Sequence, residues 1–146
     1  MSDIGLPQVS LFVDGSCLGN PGVGGWAAIL EYNGRSRELV GSESLTTNNQ
    51  MELTAVREGL KVLKRACQVR VVTDSQYVAN VLSGCQTKAN RELVQAVRQL
   101  ASQHQLLVQV VRGHSGHAPA GSAQAMNERC DRLAYQEARR RKVSHQ

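Results

Sequence analysis

Aromatic side chains are scarce in this 146-residue chain, which has one Trp, one Phe and three Tyr. So few rings argue against a stacking platform for successive unpaired bases. No apolar run approaches the roughly 18 residues needed to cross a bilayer. Met1-Ser2-Asp3-Ile4-Gly5 has no basic stretch leading into an apolar one, so no secretory leader is expected and a cytoplasmic protein is. The four cysteines, Cys17, Cys67, Cys85 and Cys130, show no C-x-x-C spacing and are expected to be free thiols. His114-x-x-His117 with Cys130 lacks a fourth ligand and fits no common zinc spacing. Aspartate is also scarce, occurring four times, and three of the four (Asp14, Asp74, Asp131) fall in segments that can converge.

Cations exceed acids, giving a formal net charge of +5 and a pI of about 9.3, which suits a polyanionic partner. Arginine outnumbers lysine 13 to 4. The cations concentrate at Arg57, Lys61, Lys64 and Arg65, and at Arg139, Arg140, Arg141 and Lys142. A solvated helix face and a solubilising tail would explain the same clusters.

The length suits one compact domain spanning residues 1–146, with an ordinary 41% apolar and 20% charged composition. Residues 8–14 are apolar on both faces apart from Ser10, as in a central strand. Residues 24–32 and 36–43 read as two more strands, joined by the hairpin signal Asn33-Gly34. Residues 49–66 carry Leu53, Val56, Leu60 and Leu63 at helical spacing with cations opposite. A strand at 69–74, a short helix at 75–83, a loop at 84–90, a helix at 91–103 and a strand at 106–112 follow. A Gly/Ala/Ser-rich loop over 113–125 leads into a last helix at 126–142. Three early strands followed by alternating helix and strand predict one mixed sheet with helices packed on it. Gly22-Val23-Gly24-Gly25-Trp26-Ala27 matches a dinucleotide-binding pattern, but that pattern must open a helix and here it runs into a strand.

Asp14 and Asp74 each follow an apolar strand run. If those strands are adjacent and parallel, both acids lie at the strand ends where α/β sheets place their sites. The helical crossover would bring Glu52 beside them. Each acid alone could be a cap or turn residue. Four carboxylates gathered in a basic protein repel one another unless divalent cations hold them, and Mg²⁺ takes oxygen ligands.

The flanking residues add a resemblance. Phe12-Val13-Asp14-Gly15-Ser16-Cys17 with Gly19-Asn20-Pro21-Gly22, Thr47-Asn48-Asn49-Gln50-Met51-Glu52, Thr73-Asp74-Ser75-Gln76-Tyr77-Val78, Gly113-His114-Ser115-Gly116-His117 and Asn127-Glu128-Arg129-Cys130-Asp131 resemble type 1 ribonuclease H, in that family's order. The resemblance covers roughly residues 8–138. It implies an RNase H-like α/β fold: a five-stranded mixed sheet, three strands antiparallel and then parallel, flanked by helices. The implied activity is metal-dependent hydrolysis of the RNA strand of an RNA–DNA hybrid, leaving a 5′-phosphate and a 3′-hydroxyl.

By the same resemblance Asp14, Glu52, Asp74 and Asp131 hold two Mg²⁺ ions, with Mn²⁺ a possible substitute. Asp14 would bridge them, with Asp131 at the ion that activates water and Glu52 and Asp74 at the ion beside the leaving oxygen. His114 matches the loop histidine that shuttles a proton or assists product release, whereas His117 is read as an ordinary surface residue. Cys17, Asn20, Asn48, Asn49 and Gln76 match minor-groove contacts, since amides can pair with the ribose 2′-OH. Thr47 matches a DNA-phosphate contact; Asn48 or Asn49 could instead cap the helix.

Two departures stand out. Residues 84–90 leave no room for the basic, Trp-containing protrusion of many bacterial members, and the one Trp is Trp26. Residues 118–125 form an apparent insertion between His114 and Asp131. The expectation is a handle-less, monomeric ribonuclease H acting on an RNA–DNA hybrid, with residues 139–142 as a solvated basic tail free to meet phosphate. A hybrid-binding module without catalysis is disfavoured by the intact acids, and a junction resolvase of the same superfold by the 2′-OH readers.

Overall fold

The computed structural model describes residues 5–112 and 118–144. Its elements run β1 (Gln8–Leu18), β2 (Gly22–Tyr32), β3 (Arg35–Thr46), α1 (Asn48–Lys61), β4 (Gln68–Thr73), α2 (Gln76–Leu82), α3 (Arg91–Ala101), β5 (Gln105–Val110) and α4 (Ala123–Ser144). The strands form one five-stranded sheet in the order β3-β2-β1-β4-β5. β1 pairs antiparallel with β2, and β2 with β3; β1 pairs parallel with β4, and β4 with β5. The β2–β3 turn places Asn33 at φ 51° and Gly34 at φ 76°, as a two-residue hairpin that matches strand twist requires.

The pleat of β1 divides the core. Leu11 and Val13 pack with Leu53, Val56 and Leu60 of α1 and Val94 and Val97 of α3. Phe12 points the other way, against Met126, Cys130 and Ala134 of α4. A Cβ built on Gly59 would lie 2.5 Å from Leu11 Cδ1, and one on Gly25 would lie 2.2 Å from the Ala134 carbonyl oxygen. Two helices thus clamp the central strands from opposite faces, and each makes its closest approach at a glycine.

The structure differs from the sequence reading at several boundaries. Asp14 does not end a strand: β1 continues to Leu18 because β2 stays paired with it as far as Leu18↔Val23. What ends is the parallel partner, for the β1–β4 register stops at Phe12↔Val72. α1 ends at Lys61, so Lys64 and Arg65 lie beyond it. α4 begins at Ala123, which makes the last part of the 118–125 insertion helical and puts Asp131 about two turns inside the helix. The basic tail is solvated as expected at Arg139, Arg140 and Lys142, but it belongs to the last helix rather than lying beyond it. Helix α4 runs through it to Ser144, and Arg141 packs back on β3, its Nη1 donating to Ser42 Oγ at 3.3 Å.

His104, between α3 and β5, ties two strand starts together: its Nδ1 accepts from the Cys67 backbone N–H at 3.0 Å. Burial lowers its pKa from the ordinary value. Protonation would occupy the accepting nitrogen, so the neutral ring is the folded form. With the folded pKa depressed, the unfolded chain binds more protons in the window. The stabilisation is therefore complete above about pH 6.5 and lost as pH falls through the folded pKa. The comparison variant is His104→Asn, whose Oδ1 accepts without titrating. Thermal melts from pH 7.5 to 5 should show wild type losing stability relative to this variant. A constant difference in Tm across the range would contradict the assignment.

Candidate active site

The site starts at Gly15. A Cβ there would sit 2.7 Å from both Met51 Cβ and the Glu52 backbone nitrogen, so β1 passes the first turns of α1 at a distance only glycine allows. That approach sets Glu52 next to Asp14. Thr47 caps α1: its side chain accepts from Gln50 N–H at 3.2 Å. The cap is therefore Thr47, and neither Asn48 nor Asn49, both exposed, is needed for it. From below, α4 grips β1 just before the acid. Asn127 Nδ2 donates to the Val13 carbonyl at 3.1 Å, and the Cys130 thiol donates to the Phe12 carbonyl at 3.4 Å. These carbonyls belong to the stretch where β4 is running out, and buried carbonyls need donors.

Asp74 directly follows β4, and oxygens of Asp14, Glu52 and Asp74 lie within 4.8 Å of one another. Asp14 is 2% exposed and Glu52 8%. Asp14 Oδ1 accepts from Gly15 N–H at 2.9 Å, whereas Asp14 Oδ2 and Glu52 Oε1 are buried with no hydrogen-bond partner. Burial and the neighbouring Asp74 push the Asp14 carboxyl up to about 8. Burial, then Asp14, hold Glu52 well above the usual carboxylate range. Two orphaned carboxylate oxygens in an all-oxygen set of like charges fit hard divalent cations, which would replace the missing hydrogen bonds and cancel the repulsion. Asp131 stands outside the tight group of three but close enough to raise Asp14 further.

The residues expected to face substrate fall around this centre. Cys17, half-buried, points its thiol at the carbonyls of Gly19 (3.0 Å), Thr46 (3.3 Å) and Gly22 (3.6 Å), and burial keeps it protonated. Asn20 Oδ1 accepts from the Asn48 backbone N–H at 3.1 Å, which joins the β1–β2 turn to the start of α1. Gln76 is exposed at the start of α2 and donates to Asn80 Oδ1 at 3.0 Å. His114 and His117 lie outside the described residues. Sequence reasoning missed Asn127, whose signal was a polar residue three before Cys130 on an otherwise apolar helix stripe.

A family model described as RNase H matches residues 7–139. The chain belongs to the RNase H family. A ribonuclease H from Campylobacter concisus is 45% identical over 139 residues, spanning 89% of this chain and 92% of the relative. One from Neisseria gonorrhoeae is 47% identical over 140 residues, spanning 86% and 92%. Among solved structures, LC9-RNase H1, described as a type 1 RNase H with the type 2 active-site motif, superimposes with a TM-score of 0.79 at 30% identity, covering 94% of this chain and 74% of that one. The N-terminal RNase H domain of a Mycobacterium tuberculosis protein gives 0.77 at 25% identity, covering 96% and 99%. RNase H enzymes are metal-dependent ribonucleases that cut the RNA of RNA–DNA hybrids, and this chain carries the acidic cluster that such chemistry needs. It is a handle-less member, with only a short loop between α2 and α3.

Without metal, the raised Asp14 carboxyl makes the folded state bind the extra proton, so its contribution is fully present below about pH 4 and lost as pH rises through the folded value. The value itself is about 8. Metal-free protein should therefore melt at progressively lower temperature between these limits. Asp14→Asn should flatten that slope, melt no lower than wild type at pH 8, and gain less from added Mg²⁺. Equal Mg²⁺-induced shifts in the two proteins would contradict a shared cation site.

Proposed function

We propose that the chain hydrolyses the RNA strand of RNA–DNA hybrids at Asp14, Glu52, Asp74 and Asp131 with two divalent cations, Mg²⁺ or in its place Mn²⁺. The observation that carries this reading is the pair of buried, partnerless oxygens on Asp14 and Glu52 beside Asp74. A cation pair bound there would stabilise both the attacking and the departing oxygen of an in-line displacement, leaving a 5′-phosphate and a 3′-hydroxyl. Asp14, the most deeply set of the acids, would be a ligand for the cations. Asp131, entering from α4, would help hold a cation that activates water, and Glu52 and Asp74 would help hold a cation that supports the departing oxygen. His114 acts as proton carrier or in product release, as a histidine near neutral pKa can.

Cys17, Asn20, Asn48, Asn49 and Gln76 read the minor groove of the hybrid, and Thr47 meets a DNA phosphate. The exposed amides of Asn48 and Asn49 support this, since the Thr47 cap leaves them unused by the helix. Paired amides can both donate to and accept from a 2′-OH, which distinguishes RNA from DNA. In the same reading the enzyme works as a cytoplasmic monomer built as one domain, since one chain supplies all four acids. Among the described residues no helix is long and apolar enough to cross a membrane.

Labelled RNA–DNA hybrid, duplex RNA and duplex DNA, each with Mg²⁺ or with EDTA, test the proposal. Cutting should be confined to the RNA of the hybrid and abolished by EDTA. Asn49→Ala should weaken hybrid cleavage by the loss of one or two hydrogen bonds, about 0.5–1.5 kcal/mol each. Efficient cutting of duplex DNA would sink the assignment.

A further inference from the structure

The second half of α4 carries more charge than the fold uses. Arg140 Nη1 pairs with Glu137 Oε2 at 3.1 Å, and Arg141 Nη1 donates to Ser42 Oγ at 3.3 Å. Arg132, Arg139 and Lys142 are exposed, and their side chains make no hydrogen bond or ion pair among the described residues. A helix C-terminus favours cations in its last turn, which accounts for Lys142. It does not account for Arg139, or for Arg132 about three turns before the end. Arg139 and Lys142 also lie one turn apart on the helix, where like charges repel, so α4 gains no stability from having both.

Helix geometry puts these cations on one side, and that side begins at the acidic centre. At about 100° per residue, Lys142, Tyr135, Arg139 and Arg132 fall within about 100° of Asp131. All four turn away from the buried stripe of Cys130, Ala134 and Ala138. Tyr135, between the cations, is 47% exposed. Downstream of Asp131 the one acid in α4 is Glu137, which lies on another side of the helix and pairs with Arg140. From Asp131 to Lys142 the row extends about 16 Å along the helix axis. A nucleic-acid strand carries a phosphate about every 3.4 Å of duplex axis, so the row is long enough to meet several.

We propose that this side of α4 is a phosphate track: Arg132, Tyr135, Arg139 and Lys142 receive the backbone of the RNA strand where it leaves the acidic centre. The strand is the one being cut, because the row starts at Asp131. Arg and Lys neutralise phosphate oxygens and a Tyr hydroxyl donates to one, contacts that set register without reading bases. An unbroken row of cations with no acid inside it matches a continuous polyanion. The inference rests on the proposed cleavage of a hybrid at the four acids.

Steady-state cleavage of a labelled RNA–DNA hybrid with Mg²⁺, from about 50 to 200 mM salt, tests it in the full chain. The track variant is Arg139→Gln/Lys142→Gln, which keeps good helix formers. The control is Arg65→Gln/Arg140→Gln, which removes the same charge at exposed positions off the row. The track variant should raise KM by about 3- to 10-fold at the lowest salt, with kcat changed by less than about twofold. Its plot of log KM against log salt should be shallower by about 1 to 2, one phosphate contact accounting for nearly one. The control should change neither by more than half as much. Trimming the hybrid on each side of the cut in turn should raise KM for the wild type on one side, and the track variant should be indifferent to that trimming. Tyr135→Phe should raise KM about 2- to 5-fold at unchanged salt slope, since it removes a neutral donor, and it carries the test if the track variant does not fold. Salt curves of the track variant that superimpose on those of the control would overturn the track, leaving only overall charge. A wild type that leaves the hybrid uncut would sink the proposed activity and the track with it. A hybrid cut with the same KM by every variant would remove the track alone.

Discussion

Asp14 and Glu52 are buried side by side, and the packing around them leaves no way to move apart. Gly15 lets β1 touch the backbone of α1, Leu11 meets Gly59 about two turns further along the same helix face, and Asn127 and Cys130 fasten the Val13 and Phe12 carbonyls from the opposite side. Each of these contacts is well packed or hydrogen-bonded, so their sum holds two carboxyl groups where neither can ionise freely in the empty protein. Such an arrangement costs stability in the empty protein. It becomes favourable only when cations complete it, which is the trade between stability and function expected at a preorganised site.

The rest of the surface follows from that placement. The β1–β2 turn, the start of α1 and the start of α2 all emerge beside the acids, and each presents amide side chains rather than charges. Amides can recognise a sugar hydroxyl without repelling or trapping the phosphates that the cations must reach. The cationic end of α4, anchored at Arg141 on Ser42, has a structural part in holding β3.

Much of this was legible in the residues. Apolar runs, helical spacing and the Asn33-Gly34 turn signal located the strands and helices of the described residues, with boundaries that differ by a few residues. The acids stood out because Asp14 and Asp74 each follow an apolar run and Glu52 interrupts a buried stripe. Asp14 could not be placed mid-strand, since nothing in Val9 to Asp14 says that β2 continues after β4 stops. Asn48 or Asn49 was the cap the residues suggested, and only backbone geometry shows that Thr47 fills that place. The tail is solvated at Arg139, Arg140 and Lys142 as its charge suggests, whereas helix periodicity turns Arg141 toward β3, where it donates to Ser42. The bonds of Asn90 were invisible because they break a local capping rule through partners 13 and 40 residues away.

The most direct test is to follow the side-chain carboxyl carbons of Asp14 and Glu52 by NMR while titrating pH, without metal and then with saturating Mg²⁺. The account predicts that the metal-free pair releases its last proton far above the ordinary carboxylate range of about 4, and that Mg²⁺ brings both transitions back below about 5. Two ordinary transitions near 4 that ignore Mg²⁺ would contradict it.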